Sequence, residues 1–84
     1  MDVRIVILQR GWVAVGKFTQ DGENCRLENA SIIRRWGTSK GLGQIAADGP
    51  TSNTVLDKCP TLRFHALTVI ASIDCEDSKW SAHL

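Results

Sequence analysis

The chain has 84 residues and a mass of 9.2 kDa, with 43% hydrophobic residues, 23% charged residues and a formal net charge of +1 at pH 7. This length allows one domain at most and excludes a doubly wound dinucleotide-binding fold or a TIM barrel, which need far more residues. The composition is typical of a folded, soluble chain and predicts neither disorder nor a membrane protein. The near-neutral charge gives no bulk attraction to nucleic acid or to an acidic membrane.

The first half of the chain predicts short antiparallel strands joined by tight turns. Its apolar runs are rich in β-branched side chains, and Asp21-Gly22 between two of the runs is a dipeptide that favours a hairpin turn. The strands predicted in this half are residues 3–9, 12–18, 25–29 and 31–36.

A glycine-rich loop and a short helix open the second half. Residues 44–48 predict the helix, with Thr38 or Ser39 as a candidate N-cap. Gly49-Pro50 ends it, because glycine suits the C-terminal cap and proline cannot continue a helix. The extended segments predicted after the helix are residues 54–56, 61–64 and 67–73.

These elements predict a mainly β fold, a small antiparallel barrel or roll of SH3-like or OB-like type with one short helix. We expect a single β-rich domain over residues 1–75 and a polar C-terminal tail over residues 76–84. Because the core of so short a chain is thin, we also expect support from self-association into a homo-oligomer.

The three cysteines, Cys25, Cys59 and Cys75, cannot all pair within the chain, and their spacing matches no zinc motif. We therefore expect reduced thiols, no metal and no cofactor. The sequence shows no secretory signal and no apolar run long enough to cross a membrane, so a cytoplasmic protein that does not bind membranes is expected.

Catalysis has little support in the sequence. His65 could activate Cys59 or Cys75 only if the fold brings a cysteine to the imidazole. The acidic run at residues 74–77 is more typical of a solvated surface than of a cation site. We expect no catalytic residues and no enzyme activity.

The most distinctive segment is residues 34–48, where cations, hydroxyls and glycines are concentrated. Glycines before a helix start can hold an anion, and arginine can bind a phosphate or carboxylate through two hydrogen bonds. Alternatively, the glycines only serve turns, and Arg34 and Arg35 point to opposite faces of a strand. Trp12 and Trp36 are expected to fill the core, with stacking of Trp36 on a partner as the alternative. The candidate binding residues are Arg34, Arg35, Trp36, Thr38, Ser39 and Lys40.

The same region carries a family resemblance. Its distinctive stretches are residues 8–12, 29–38, 40–43, 49–51 and 54–57. With these stretches the chain resembles a family of small proteins encoded by bacteriophages and prophages, over nearly its whole length. The resemblance implies no chemistry and no functional residue; it implies a viral accessory protein that acts in the cytoplasm of a bacterial host.

We therefore expect a non-enzymatic phage accessory protein that binds a host or phage macromolecule, in the first place a protein, with inhibition of host defence as its role. Two other hypotheses assign a different function to the same basic segment: sequestration of a phosphorylated small molecule such as a nucleotide, and binding of nucleic acid. A small virion component is a further alternative.

Overall fold

The computed structural model, which describes residues 2–84, consists of six antiparallel strands and two short α-helices. Three short 3-10 turns, at Gln9–Gly11, Ala66–Thr68 and Ser81–His83, complete the secondary structure. The elements in chain order are β1 (Val3–Leu8), β2 (Val13–Asp21), β3 (Asn24–Arg35), α1 (Leu42–Asp48), β4 (Val55–Lys58), β5 (Leu62–His65), β6 (Val69–Asp74) and α2 (Asp77–Trp80).

All six strands belong to one sheet, in which five have the order β4-β3-β2-β1-β6. The sixth strand, β5, pairs with β3 along the same edge as β4. The prediction of a mainly β, antiparallel fold is confirmed. The sheet is not closed, so its architecture is an open roll rather than a complete barrel. The helix predicted at residues 44–48 is present and begins earlier, at Leu42, and α2 is a second helix that the sequence pattern did not predict.

β3 is one strand of 12 residues where the sequence predicted two. The polar interruption around Asn29 is absorbed within the strand, because Asn29 adopts a left-handed conformation with φ 53°. On the neighbouring strand, a Cβ at Gly16 would lie 2.9 Å from the carbonyl oxygen of Glu28, so the backbones approach closely there. The first half of β3 pairs with β5 and the second half with β4.

Two apolar clusters lie on opposite faces of the sheet, as the alternation of side chains along β1 and β2 requires. The first cluster is covered by the helices and consists of Val3, Ile5, Val13, Val15, Ile33, Leu42, Ile45, Ala46 and Trp80. The second is formed by Val6, Ala14, Leu27 and Ala30, with Leu8, Phe18, Ile32, Cys59, Leu62 and Phe64 packed against them.

The tryptophans do not follow the expectation that Trp12 and Trp36 fill the core. Trp12 is 58% exposed and Trp36 is 45% exposed, whereas Trp80 is completely buried. Residues 76–84, expected as a polar tail, contain α2 and the last 3-10 turn and place Trp80 in the first cluster. Within residues 2–84, no helix is long and apolar enough to cross a membrane.

Candidate functional site

The candidate binding residues lie at the end of β3 and in the loop that leads to α1. Two threonines fix this loop: the Thr54 hydroxyl donates to the carbonyl oxygen of Trp36 at 2.6 Å, and the Thr51 hydroxyl to that of Gly37 at 2.8 Å. Gly37 has φ 68°, and a Cβ there would lie 2.4 Å from the carbonyl carbon of Asn53. Only glycine fits this position, and the two hydrogen bonds fix the path of the loop backbone.

The predicted N-cap of α1 is wrong. The N-cap residue is Gly41, with φ 81°, and no side chain caps the helix. Thr38 instead donates its hydroxyl hydrogen to the carbonyl oxygen of Gly41 at 2.9 Å, inside the loop. The amide N–H of Lys40 donates to the Gln44 side chain at 3.2 Å. Thr38 therefore holds the loop together, and Ser39 is the exposed hydroxyl of the pair.

Arg34 and Arg35 lie next to each other on the strand, yet both line one shallow cavity of about 430 Å³ together with Val55. The pairing of β3 with β4 is irregular between Ile33 and Arg35, so the regular alternation of side chains ends there. Nε of Arg34 lies 2.6 Å from a carboxylate oxygen of Asp57. The charge of Arg34 is thus partly neutralised, and within residues 2–84 Arg35 forms no ion pair.

Trp36 follows these arginines in the chain and precedes the loop glycines. Its Cζ3 atom lies 4.0 Å from the position that a Cβ would take at Gly41, so one edge of the indole approaches the backbone at the start of α1. Lys40 is exposed and, among the described residues, has no acidic partner. We call the exposed members of this set the basic surface: Arg34, Arg35, Trp36, Ser39 and Lys40.

The hydrogen-bond partners of His65, the candidate base, are a carboxylate and a backbone amide rather than a cysteine. Nε2 of His65 lies 3.3 Å from Glu23, and its Nδ1 accepts a hydrogen bond from the amide of Leu67 at 3.0 Å. Burial raises the pKa of the Cys75 thiol to about 12, which makes it a poor nucleophile at neutral pH. Cys25 and Cys59 are also free thiols, and residues 2–84 contain no cluster of three or more side chains that could hold a metal ion.

Sequence reasoning missed a second surface on the face of the sheet opposite the helices. An apolar groove of about 400 Å³ lies there, between the β1–β2 turn and β5, with Trp12 in its wall and Arg10 and Arg63 among its polar lining residues. The available signal was a tryptophan directly after Arg10-Gly11, since a large aromatic residue beside a turn is easily left exposed.

A comparison of the chain with models of known protein families finds no match, and a search of curated proteins finds no similar sequence.

Proposed function

We propose that this chain is a non-enzymatic binding protein whose basic surface docks on an acidic patch of another protein. The observation that carries the proposal is the exposed indole of Trp36, which follows Arg35 directly in the chain, at a position whose backbone is held by the hydroxyls of Thr51 and Thr54. Tryptophan and arginine are enriched among the interface residues whose replacement costs the most binding free energy. A surface that is already ordered also loses less conformational entropy on binding.

The charges around Arg34 favour a protein partner over a single phosphate. The carboxylate of Asp57, 2.6 Å from Arg34, would repel a second anion at that guanidinium. Arg35 and Lys40 are free to pair with two separate carboxylates. An acidic patch on a protein presents its carboxylates separately in this way, whereas a phosphate is a single group. α1 has only seven residues, and the N–H of Lys40 before it is already bonded to a side chain.

The resemblance to phage-encoded proteins supports a partner in the infected bacterial cell. In this proposal the chain is a phage accessory protein of the host cytoplasm that binds a host or phage protein, and inhibition of a host defence protein is its role.

Capture from bacterial lysate followed by quantitative mass spectrometry tests the proposal. The bait is the immobilised chain, compared with an Arg34→Ala/Arg35→Ala/Lys40→Ala variant and with Trp36→Ala. Lys17→Ala/Arg26→Ala serves as the control, because it removes two cations outside the basic surface. We expect one specific protein to be retained by the wild type and the control and reduced at least tenfold by both basic-surface variants, with unchanged circular dichroism.

Equal capture by all four proteins would overturn the proposal. Loss of capture after nuclease treatment, with affinity falling steeply as salt rises, would assign the surface to nucleic acid instead. A nucleotide that stabilises the wild type by about 2.7 kcal/mol at 100 times its dissociation constant, and not the triple variant, would assign it to a phosphorylated small molecule.

A further inference from the structure

The tip of the β2–β3 hairpin and the neighbouring strand β5 form a polar surface separate from the basic surface. On β3 and β5 its exposed side chains alternate with buried or half-buried ones, so they share one face of the sheet. An open cavity of about 680 Å³, which we call the hairpin cavity, lies on this face. Small-molecule sites have volumes of about 300–1,000 Å³. The side chains on the cavity face are Thr19, Asp21, Asn24, Arg26, Arg63 and His65.

Two arginines lie side by side in this cavity. Arg26 on β3 is directly opposite Arg63 on β5. The amide of Ala66 donates to the carbonyl oxygen of Glu23 at 2.8 Å, which fixes the phase of the ladder. The arginines therefore occupy a pair that is not hydrogen-bonded, where opposite side chains are closest. Like charges placed directly opposite each other are destabilising, so an anion between the two guanidinium groups would relieve their repulsion.

The neighbouring carboxylates neutralise this arginine pair only in part. Nε of Arg26 lies 3.0 Å from a carboxylate oxygen of Glu28. Because a guanidinium has five N–H donors, this contact leaves others for a ligand. Arg63 forms no ion pair within residues 2–84. Glu23 lies 3.3 Å from Nε2 of His65 and not beside an arginine.

We propose that the hairpin cavity binds a small phosphorylated sugar, free or as part of a nucleoside monophosphate, with its phosphate between Arg26 and Arg63. A phosphate monoester has several oxygens for two guanidinium groups to share, and arginine binds phosphate through two parallel hydrogen bonds. Asn24 and Asp21 line the same cavity toward the hairpin turn. An amide that donates and accepts, together with a carboxylate that accepts, suits the hydroxyl groups of a sugar.

Acidic residues on both sides of the arginine pair favour a compact ligand over nucleic acid. Glu28 follows Arg26 on β3, and Asp21 and Glu23 lie at the hairpin turn. The further phosphates of a polynucleotide would be repelled by these carboxylates. The cavity shares no residue with the basic surface. In the capture experiment, Lys17→Ala/Arg26→Ala breaks the arginine pair and retains the basic surface, so the two proposals fail separately.

A titration followed by nuclear magnetic resonance tests the site. Ribose 5-phosphate, UMP, inorganic phosphate and ribose are added to isotope-labelled protein at constant ionic strength, and the arginine Nε–Hε resonances are recorded. We expect saturable shifts at Arg26 and Arg63 with the three phosphates and none with ribose. Ribose 5-phosphate should bind about tenfold more tightly than inorganic phosphate, because its hydroxyl groups bond to Asn24 and Asp21.

Matched charge variants separate the arginine pair from general electrostatic attraction. Arg26→Gln/Arg63→Gln should weaken binding of ribose 5-phosphate at least tenfold. Arg10→Gln/Lys58→Gln removes the same charge outside the hairpin cavity and should leave the affinity unchanged. The inference is overturned if no phosphate gives saturable shifts, if the arginine-pair variant binds normally, or if both variants lose affinity equally. Tighter binding of a 12-nucleotide single strand than of ribose 5-phosphate would assign the surface to nucleic acid instead.

Discussion

The indole N–H of Trp80 donates a hydrogen bond of 3.0 Å to the carbonyl oxygen of Ile45, and both side chains are completely buried. A second hydrogen bond, of 2.9 Å from the amide of Glu76 to the carbonyl oxygen of Ala46, joins the same two segments. Together these bonds join the C-terminal segment to α1 over the first apolar cluster. The C-terminal residues are therefore part of the core of the domain.

Replacing Trp80 tests this role. Trp80→Ala should lower the free energy of unfolding by about 3–5 kcal/mol, because it removes a large, fully buried side chain. Trp80→Phe retains an aromatic ring, and the Ile45 carbonyl oxygen that loses the indole donor still accepts from the amide of Gly49 at 2.8 Å, so its cost should be smaller. Urea unfolding followed by far-ultraviolet circular dichroism measures both. A loss below 1 kcal/mol for Trp80→Ala would contradict the packing described.

Gly37 should be the glycine most sensitive to substitution in the basic-surface loop. Gly37→Ala should cost more than about 2 kcal/mol, because it combines a positive φ with a Cβ placed against the Asn53 backbone. Gly22→Ala is the matched control: its φ is 61°, but nothing lies within 4 Å of the added Cβ. It should cost only about 1 kcal/mol. Equal costs in thermal unfolding would show that the close approach at Gly37 is not tight.

Ser31 is a buried polar residue whose removal should do no harm. Its side chain is completely buried on β3, and its hydroxyl has no hydrogen-bond partner within residues 2–84. A buried, unpaired hydroxyl costs about 1–3 kcal/mol. Ser31→Ala should therefore leave stability unchanged or raise it by about 1 kcal/mol, and exposed Ser72→Ala should be neutral. A clear loss of stability in Ser31→Ala would mean that the hydroxyl is paired in solution.

Cys75 should make the protein less stable in alkali. Burial raises the pKa of its thiol from 9.0 to about 12, so the folded chain retains a proton that the unfolded chain releases. The resulting stability is complete below pH 9 and is lost as the pH rises toward 12. Urea unfolding at pH 7.5 and pH 10 should show a larger loss for the wild type and Cys59→Ala than for Cys75→Ala. The same loss in all three would contradict it.

Local sequence patterns were sufficient for β1, β2 and the hairpin at Asp21-Gly22, because turn chemistry and side-chain alternation act over a few residues. They failed at Asn29, where pairing of β3 with two later strands outweighs a local interruption. For Trp80 the sequence left two alternatives, folding back on the sheet or lying at a subunit contact, because it lies in a polar stretch and its hydrogen-bond acceptor is 35 residues away; it folds back.

At the basic surface, the charged residues were predicted from composition, and their binding role stays a prediction. The frame of the loop was not predictable. Thr51 and Thr54 bond to carbonyl groups 14 and 18 residues earlier, contacts that no local pattern encodes. Thr38 was assigned to a helix cap because threonine favours that position, but the left-handed Gly41 occupies it.

β1 has its second neighbour at the far end of the chain. During synthesis, β1 and β2 can pair early, whereas β6, the partner that covers the other edge of β1, is added only with Val69–Asp74, just before the Trp80 segment. Until then that edge presents unpaired backbone groups to other chains. β6 therefore determines when the second edge of β1 in a nascent molecule is closed to association with its neighbours.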